Sequence, residues 1–240
     1  MKQSKRANSN PVRLCDEQQV VEVVQSTVLN LWEAVNNLTR LRPTKRDRYR
    51  ATIFGSARVH KTHWVYRAVR DLAAELTRRD CDIITGGGPG LMQAANEGVH
   101  LANPKAKKGS VGIRVDLPFE QEANAFVTDS FEHGTFFTRL HHFVLASDAF
   151  IVVPGGIGTI LETMMIWQLL QVKKLHDTPL ILAGDMYAEL VEWSKKNMLR
   201  SDFPLASAQD MLIPRCVRDG QSILKIVRKH HTEWKKTNRK

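Results

Sequence analysis

Pro154-Gly155-Gly156-Ile157-Gly158-Thr159-Ile160-Leu161-Glu162 follows the apolar run Ala149–Val153 and opens a helical stretch over 157–172. A short, unbroken apolar run suits a strand covered on both faces, and glycines directly after it let the chain turn sharply into a helix. The same grammar occurs twice upstream. Ala51–Phe54 ends in Gly55-Ser56-Ala57-Arg58, and Asp82–Thr85 ends in Gly86-Gly87-Gly88-Pro89-Gly90-Leu91-Met92. Between them, Thr62–Arg79 places Trp64, Val65, Ala68, Val69, Leu72, Ala73 and Leu76 on one helical face. Ser110–Val115 and Pro179–Ala183 read as further strands, and helices are expected near 186–198 and 219–234. Strand–helix alternation with continuous apolar strands predicts a Rossmann-like α/β fold, a parallel sheet with helices on both faces. Ligand loops of such sheets gather at the carboxyl ends of the strands, where the glycine loops fall.

Ahead of this unit, Val21, Val24, Val28, Leu31, Val35 and Leu38 alternate at three and four residues, the stripe of an N-terminal helix. That stripe suits packing against the domain or against a partner's helix. Pro43 and the basic stretch to Arg50 read as a linker. The expected organisation is a basic tail, helix and linker over 1–49, then a single nucleotide-binding domain over 50–240 ending in a basic helix.

The chain has 240 residues and a net charge of +10, and the location of that charge decides what it implies. Residues 1–13 carry +4, residues 40–50 carry +5 and residues 225–240 carry +6, which leaves the remainder at −5. The excess is therefore peripheral, and the motif-bearing core is mildly acidic. Basic termini contact nucleic acid in some proteins, but solvated ends are the commoner case and are expected here. Met1–Pro11 lacks the apolar segment of a secretory signal, and no apolar run approaches a membrane span. Cys15, Cys81 and Cys216 are far apart, with no Cys/His ligand spacing, so reduced thiols, a cytoplasmic location and no metal site are expected.

Each glycine loop offers free N–H groups at a helix start, where an anion or a polar ligand edge is favoured. In the first loop, Pro89 is preset for a first helical turn; the alternative is simply a tight turn needing positive φ. In the second, loop amides and the Thr159 hydroxyl make a phosphate cradle. No lysine follows its last glycine, so it is not a Walker A loop, and its spacing is not the dinucleotide GxGxxG. Glu162 lies one turn into the helix, within reach of a sugar next to a bound phosphate; its bland role would be to favour the helix N-terminus. Arg139, on a helix before Ala149–Val153, could grip phosphate or ribose, although residue type alone favours a surface salt bridge.

GGGPGLM, then Arg139 placed fifteen residues before PGGIGTILE, resembles the lonely-guy (LOG) family over roughly residues 50–200. These are cytokinin riboside 5′-monophosphate phosphoribohydrolases, often labelled lysine decarboxylases, and PGGxGTxxE is the most specific part of the pattern. The resemblance implies AMP-like substrates, a homodimer or higher homo-oligomer, and no cofactor. It also implies catalytic roles for Arg139 and Glu162 and phosphate binding at Gly155, Gly156, Gly158 and Thr159. Gly86, Gly87, Gly88 and Met92 would border base and sugar, with Gly55 and Ser56 nearby. Family members usually have lysine where this chain has Leu140, and a second acid where it has Leu161. Both departures bear on which base is accepted.

The expected reaction is hydrolysis of a nucleoside monophosphate to free base and ribose 5-phosphate. Two alternatives use the same residues: a nucleotide-sensing module that binds without turnover, and a nucleic-acid-associated Rossmann-like protein. Pyridoxal-dependent lysine decarboxylation fits poorly, since the glycine loops contain no lysine for a Schiff base.

Overall fold

The structure is a computed structural model that describes residues 13, 15–38, 47–105, 107–116 and 123–238. The basic tail and most of the linker read from the sequence lie outside these residues. The chain divides into two units, 1–44 and 45–240. In the first, α1 (Glu17–Leu38) is the expected N-terminal helix, and Val21, Val24, Val28 and Leu31 of its stripe are solvent-exposed.

The second unit is built on seven parallel strands. They are β1 (Tyr49–Phe54), β2 (Cys81–Thr85), β3 (Ser110–Val115), β4 (Asp129–His133), β5 (Ala149–Val152), β6 (Leu180–Ala183) and β7 (Pro214–Val217). Six helices follow in chain order: α2 (Trp64–Thr77), α3 (Leu91–Ala102), α4 (Phe136–Ala146), α5 (Ile157–Gln171), α6 (Asp185–Met198) and α7 (Gly220–Asn238). The sheet order is β4-β3-β2-β1-β5-β6-β7. Between β1 and β5 the chain changes winding direction, which is where an open α/β sheet leaves a crevice at the strands' carboxyl ends.

Alternation along the central strands divides the core in two. Ala51 and Ile53 of β1, Ile83 of β2 and Ile151 of β5 pack with α2, α3 and α7. Phe54, Ile84, Phe150 and Val152 face the other way, onto Phe143 of α4, Ile166 and Trp167 of α5, and Tyr187 and Val191 of α6. Strands buried on both sides are mostly apolar, and the buried polar exceptions are satisfied locally: Thr52 shares a hydrogen bond with Ser147, and Thr85 donates to Asn96.

The sequence reading misses β4 and β7, and both are sheet edges. Asp-Ser-Phe-Glu-His in β4 is mostly exposed, and β7 begins with Pro214, which an edge strand tolerates. Neither has a reason to be apolar. A second correction concerns Pro89. Helix α3 starts at Leu91 with Gly90 as its N-cap, so Pro89 precedes the cap and does not occupy the first turn. On helix α5, Ile166 and Trp167 are buried in the core, whereas Ile157, Leu161 and Met164 are exposed in the single chain.

Candidate functional site

The loops after β1, β2 and β5 meet at the crevice and are held together mainly by main-chain bonds. Ser56 N–H donates to the Pro154 carbonyl (3.0 Å), and Leu91 N–H donates to the Ser56 carbonyl (2.8 Å). A single residue after β1 thus ties both glycine loops in place. Gly55 is required by this packing, because a Cβ there would lie 2.6 Å from Val153 Cγ2 and 3.0 Å from Leu91 Cβ. Gly90, at φ +67°, faces the Ser56 carbonyl and Ala57 main chain so closely that any side chain would collide with backbone.

The triple-glycine loop has its own internal scaffold. Thr85 Oγ1 accepts from Gly87 N–H (2.9 Å) and donates to Asn96 Oδ1 (2.8 Å). The Asn124 amide donates to the carbonyls of Gly87 (3.0 Å) and Gly88 (2.9 Å). With these carbonyls and the Gly87 N–H engaged, the loop is fixed by Asn96 and Asn124, two residues that carry no motif in the sequence.

Arg139 is 8 % exposed, which corrects the surface salt bridge that residue type alone suggests. Its Nε donates to the Ile113 carbonyl at 2.9 Å, and its guanidinium carbon lies 5.4 Å from the Phe143 ring centroid. The guanidinium and Met92 Sδ occupy the space that a Cβ on Gly86 would fill, and Met92 Cε does the same at Gly88. Gly86 and Gly88 therefore act by absence, admitting Arg139 and Met92 onto the loop.

Glu162, on α5, faces Arg139 with Oε1 3.6 Å from the guanidinium NH1, an ion-pair distance longer than a hydrogen bond. The carboxyl is 9 % exposed, and its burial pushes the pKa up from 4.5 to about 7, with the Arg139 charge pulling in the opposite direction. Glu162 is also beyond the helix's first turn, so a simple interaction with the helix N-terminus does not describe it. A carboxyl with a pKa near neutrality beside a fixed cation can exchange a proton, or present negative charge, at the pH of a cell.

The Thr159 side chain folds against Gly155, whereas a Cβ at Gly156 or Gly158 would meet nothing within 4 Å. The backbone at those two glycines thus borders open space at the start of α5, where free N–H groups suit an anion. Tyr187 is fully buried on α6, and its hydroxyl donates to the Val153 carbonyl (2.9 Å) just before this loop. The Glu162 charge acts on the phenol and holds its pKa up, after burial. Leu140 is buried, and Leu161 is exposed beside Glu162 in sequence. The predicted residues Gly55, Ser56, Gly86–Gly88, Met92, Arg139, Gly155, Gly156, Gly158, Thr159 and Glu162 therefore lie on the loops and helices around one crevice. Thr85, Asn96, Asn124 and Tyr187 complete its framework.

Among the described residues, no helix is long and apolar enough to cross a membrane. Residues 92–226 match a family model described as "Possible lysine decarboxylase". The chain is 29 % identical over 162 residues to a "Probable cytokinin riboside 5′-monophosphate phosphoribohydrolase" of Arabidopsis thaliana, covering 66 % of this chain and 78 % of that protein. It is 28 % identical over 137 residues to the pyrimidine/purine nucleotide 5′-monophosphate nucleosidase of Escherichia coli K12, which covers 55 % of this chain. That match spans only 30 % of the nucleosidase's own length. A molybdenum cofactor carrier protein from Chlamydomonas reinhardtii shares the fold at a TM-score of 0.57 and 15 % identity, over 77 % of this chain and 99 % of that one. The molybdenum cofactor binding protein of Rippkaea orientalis does so at 0.54 and 16 %, over 77 % and 97 %. With its complete PGGIGTILE loop and more than half its length within the family model, the chain belongs to the "possible lysine decarboxylase" family, also known as the lonely-guy family.

Proposed function

We propose that the protein hydrolyses the N-glycosidic bond of a nucleoside 5′-monophosphate, releasing free base and ribose 5-phosphate. The observation that carries this reading is the buried Arg139–Glu162 pair beside an open glycine cradle. The two relatives named for N-glycosidic cleavage of nucleoside monophosphates support it.

Phosphate would sit on the amides of Gly155, Gly156 and Gly158 with the Thr159 hydroxyl. Base and sugar would extend over Gly86–Gly88 and Met92, near Gly55 and Ser56. Cleavage at C1′ develops oxocarbenium-like positive charge on the ribose. Glu162, as carboxylate, would stabilise that charge or take a proton from the attacking water, and Arg139 would hold the substrate and keep the carboxylate in place. Binding energy from the remote phosphate would then orient the sugar, an effect realised as turnover.

The test is release of free base from a panel of nucleoside 5′-monophosphates, with the matching nucleosides alongside. AMP should be cleaved far faster than adenosine. Equal rates would sink the phosphate cradle, and tight binding of every monophosphate with no base released would make the protein a nucleotide sensor.

A further inference from the structure

We propose that the end of the sheet opposite the glycine loops is a second binding site, which takes the phosphodiester backbone of nucleic acid. Two hollows lie there. One, of about 560 Å³, lies along α7 and the end of α2, where Arg79, Lys225, Arg228, Lys229 and Lys236 surround a single acid, Glu233. The other, of about 360 Å³, is lined by Arg48, Lys105, Lys107 and Lys108 against Asp82. An ion-pair chain runs from α7 to the lining of the second hollow: Lys235 to Asp80 (3.8 Å), Asp80 to Arg48 (3.6 Å) and Arg48 to Asp82 (2.6 Å).

Most of this positive charge is uncommitted. Lys225, Arg228, Lys229 and Lys236 form no ion pair with a described acid, nor do the three lysines of the second hollow, and all seven side chains are exposed. The helix presents them in order. Lys225, Lys229 and Lys236, with the uncharged Thr232 between the last two, recur at intervals of four, three and four, on one face over about 16 Å. The opposite face of α7 is spoken for, since Ile223, Leu224 and Val227 are buried in the core. The sequence reading treats residues 225–240 as solvated charge, but in the folded chain residues 225–236 form an organised cationic wall.

Ligand chemistry follows from what lines the hollows. A row of cations along a groove suits a chain of regularly spaced phosphates. An anionic membrane is a poorer fit, because the lining includes no exposed large apolar side chain to insert. Nor does it include an aromatic on which bases could stack, so binding should track the backbone and ignore sequence.

The experiment is fluorescence anisotropy with the full chain and a labelled 30-nucleotide probe, as single-stranded DNA, RNA and duplex DNA, between 50 and 200 mM KCl. We expect a Kd of roughly 10⁻⁶–10⁻⁴ M near physiological salt, little sequence preference and steep weakening with salt. The three probes show which nucleic acid is held best. Lys225→Glu with Lys229→Glu should weaken binding at least 10-fold and flatten the salt slope by about two, and the paired Gln variant should lie between it and wild type. Lys174→Glu with Lys196→Glu makes the same change in net charge elsewhere and should leave binding nearly intact. The proposal is overturned if no probe binds at 50 mM KCl, if the control pair costs as much as the groove pair, or if anionic vesicles bind while nucleic acids do not. Melting curves confirm folding, and AMP binding should be unchanged in both charge-reversed proteins.

Discussion

Glu162→Gln separates a catalytic carboxyl from a structural one, because the two roles predict opposite effects on stability and activity. In the folded protein burial raises the Glu162 pKa from 4.5 to about 7. Between those values the native state holds a proton that the unfolded chain has released, so stability falls as pH rises from 4.5 to 7. At about 1.4 kcal/mol for each pH unit separating the two values, full ionisation costs the native state up to about 3 kcal/mol. Glutamine has nearly the same shape and no charge, so it removes that slope. At pH 5 the variant should match wild type within about 1 kcal/mol. At pH 8 it should be more stable by up to about 3 kcal/mol, since the pull of Arg139 is already contained in the folded-state pKa of about 7. For a domain of this size that is a Tm increase of up to about 6–12 °C. The assay is urea denaturation of both proteins at pH 5 and pH 8, with m-values compared to confirm two-state unfolding. Turnover should meanwhile fall by about 10²–10⁴-fold with nucleotide affinity largely retained. Parallel stability-versus-pH curves for the two proteins would refute the burial argument, and normal turnover in a folded variant would refute the catalytic one.

Gly156→Ala and Gly158→Ala should fold like wild type, since a Cβ at either position meets nothing within 4 Å, yet raise KM for AMP and not for adenosine. Gly90→Ala should instead lower Tm by at least about 5 °C, through positive φ and collision with main chain. His231 is buried with an unpartnered Nε2, and burial holds its pKa down from 6.5 to about 4. Because the unfolded chain takes up that proton first, stability should drop as pH falls from 6.5 to 4, by up to about 3 kcal/mol, and His231→Leu should flatten this acid limb in urea titrations. The exposed Ile157, Leu161 and Met164 on α5 should support self-association, giving at least a dimer by light scattering at micromolar concentration; Ile157→Glu with Leu161→Glu should give the single-chain mass. A wild-type protein that already has the single-chain mass would rule that surface out.

What the sequence displays and what it conceals follow from how far apart the deciding atoms are. Strands β1, β2 and β5 are legible because burial on both faces makes their central residues mostly apolar, and a glycine follows closely after each. Strands β4 and β7 lie at the edges, where Asp129, Glu132 and Arg215 can face solvent, so nothing in their composition marks them. Glu162 is legible from its fixed offset within PGGIGTILE. The burial of Arg139 is not, since it depends on the missing Cβ of Gly86 and on the carbonyl of Ile113, both brought from other strands. Asn124 reaches Gly87 across 37 residues, and Tyr187 reaches Val153 across 34. No local pattern announces either contact.

The two backbone bonds made by Ser56 bear on how a ligand arrives. Because the N–H and the carbonyl of one residue are bonded to Pro154 and to Leu91, the two glycine loops share an anchor and do not open independently without breaking a main-chain bond. Hinging one away from the crevice would break a main-chain bond and strain the other. Most of the ordering entropy that a ligand would otherwise have to supply is therefore settled when the chain folds. Association should then resemble docking into a rigid mould. It should follow a single second-order step whose rate stays linear in ligand concentration, with no slower closing phase, and the free and occupied loops should superimpose within about 1 Å.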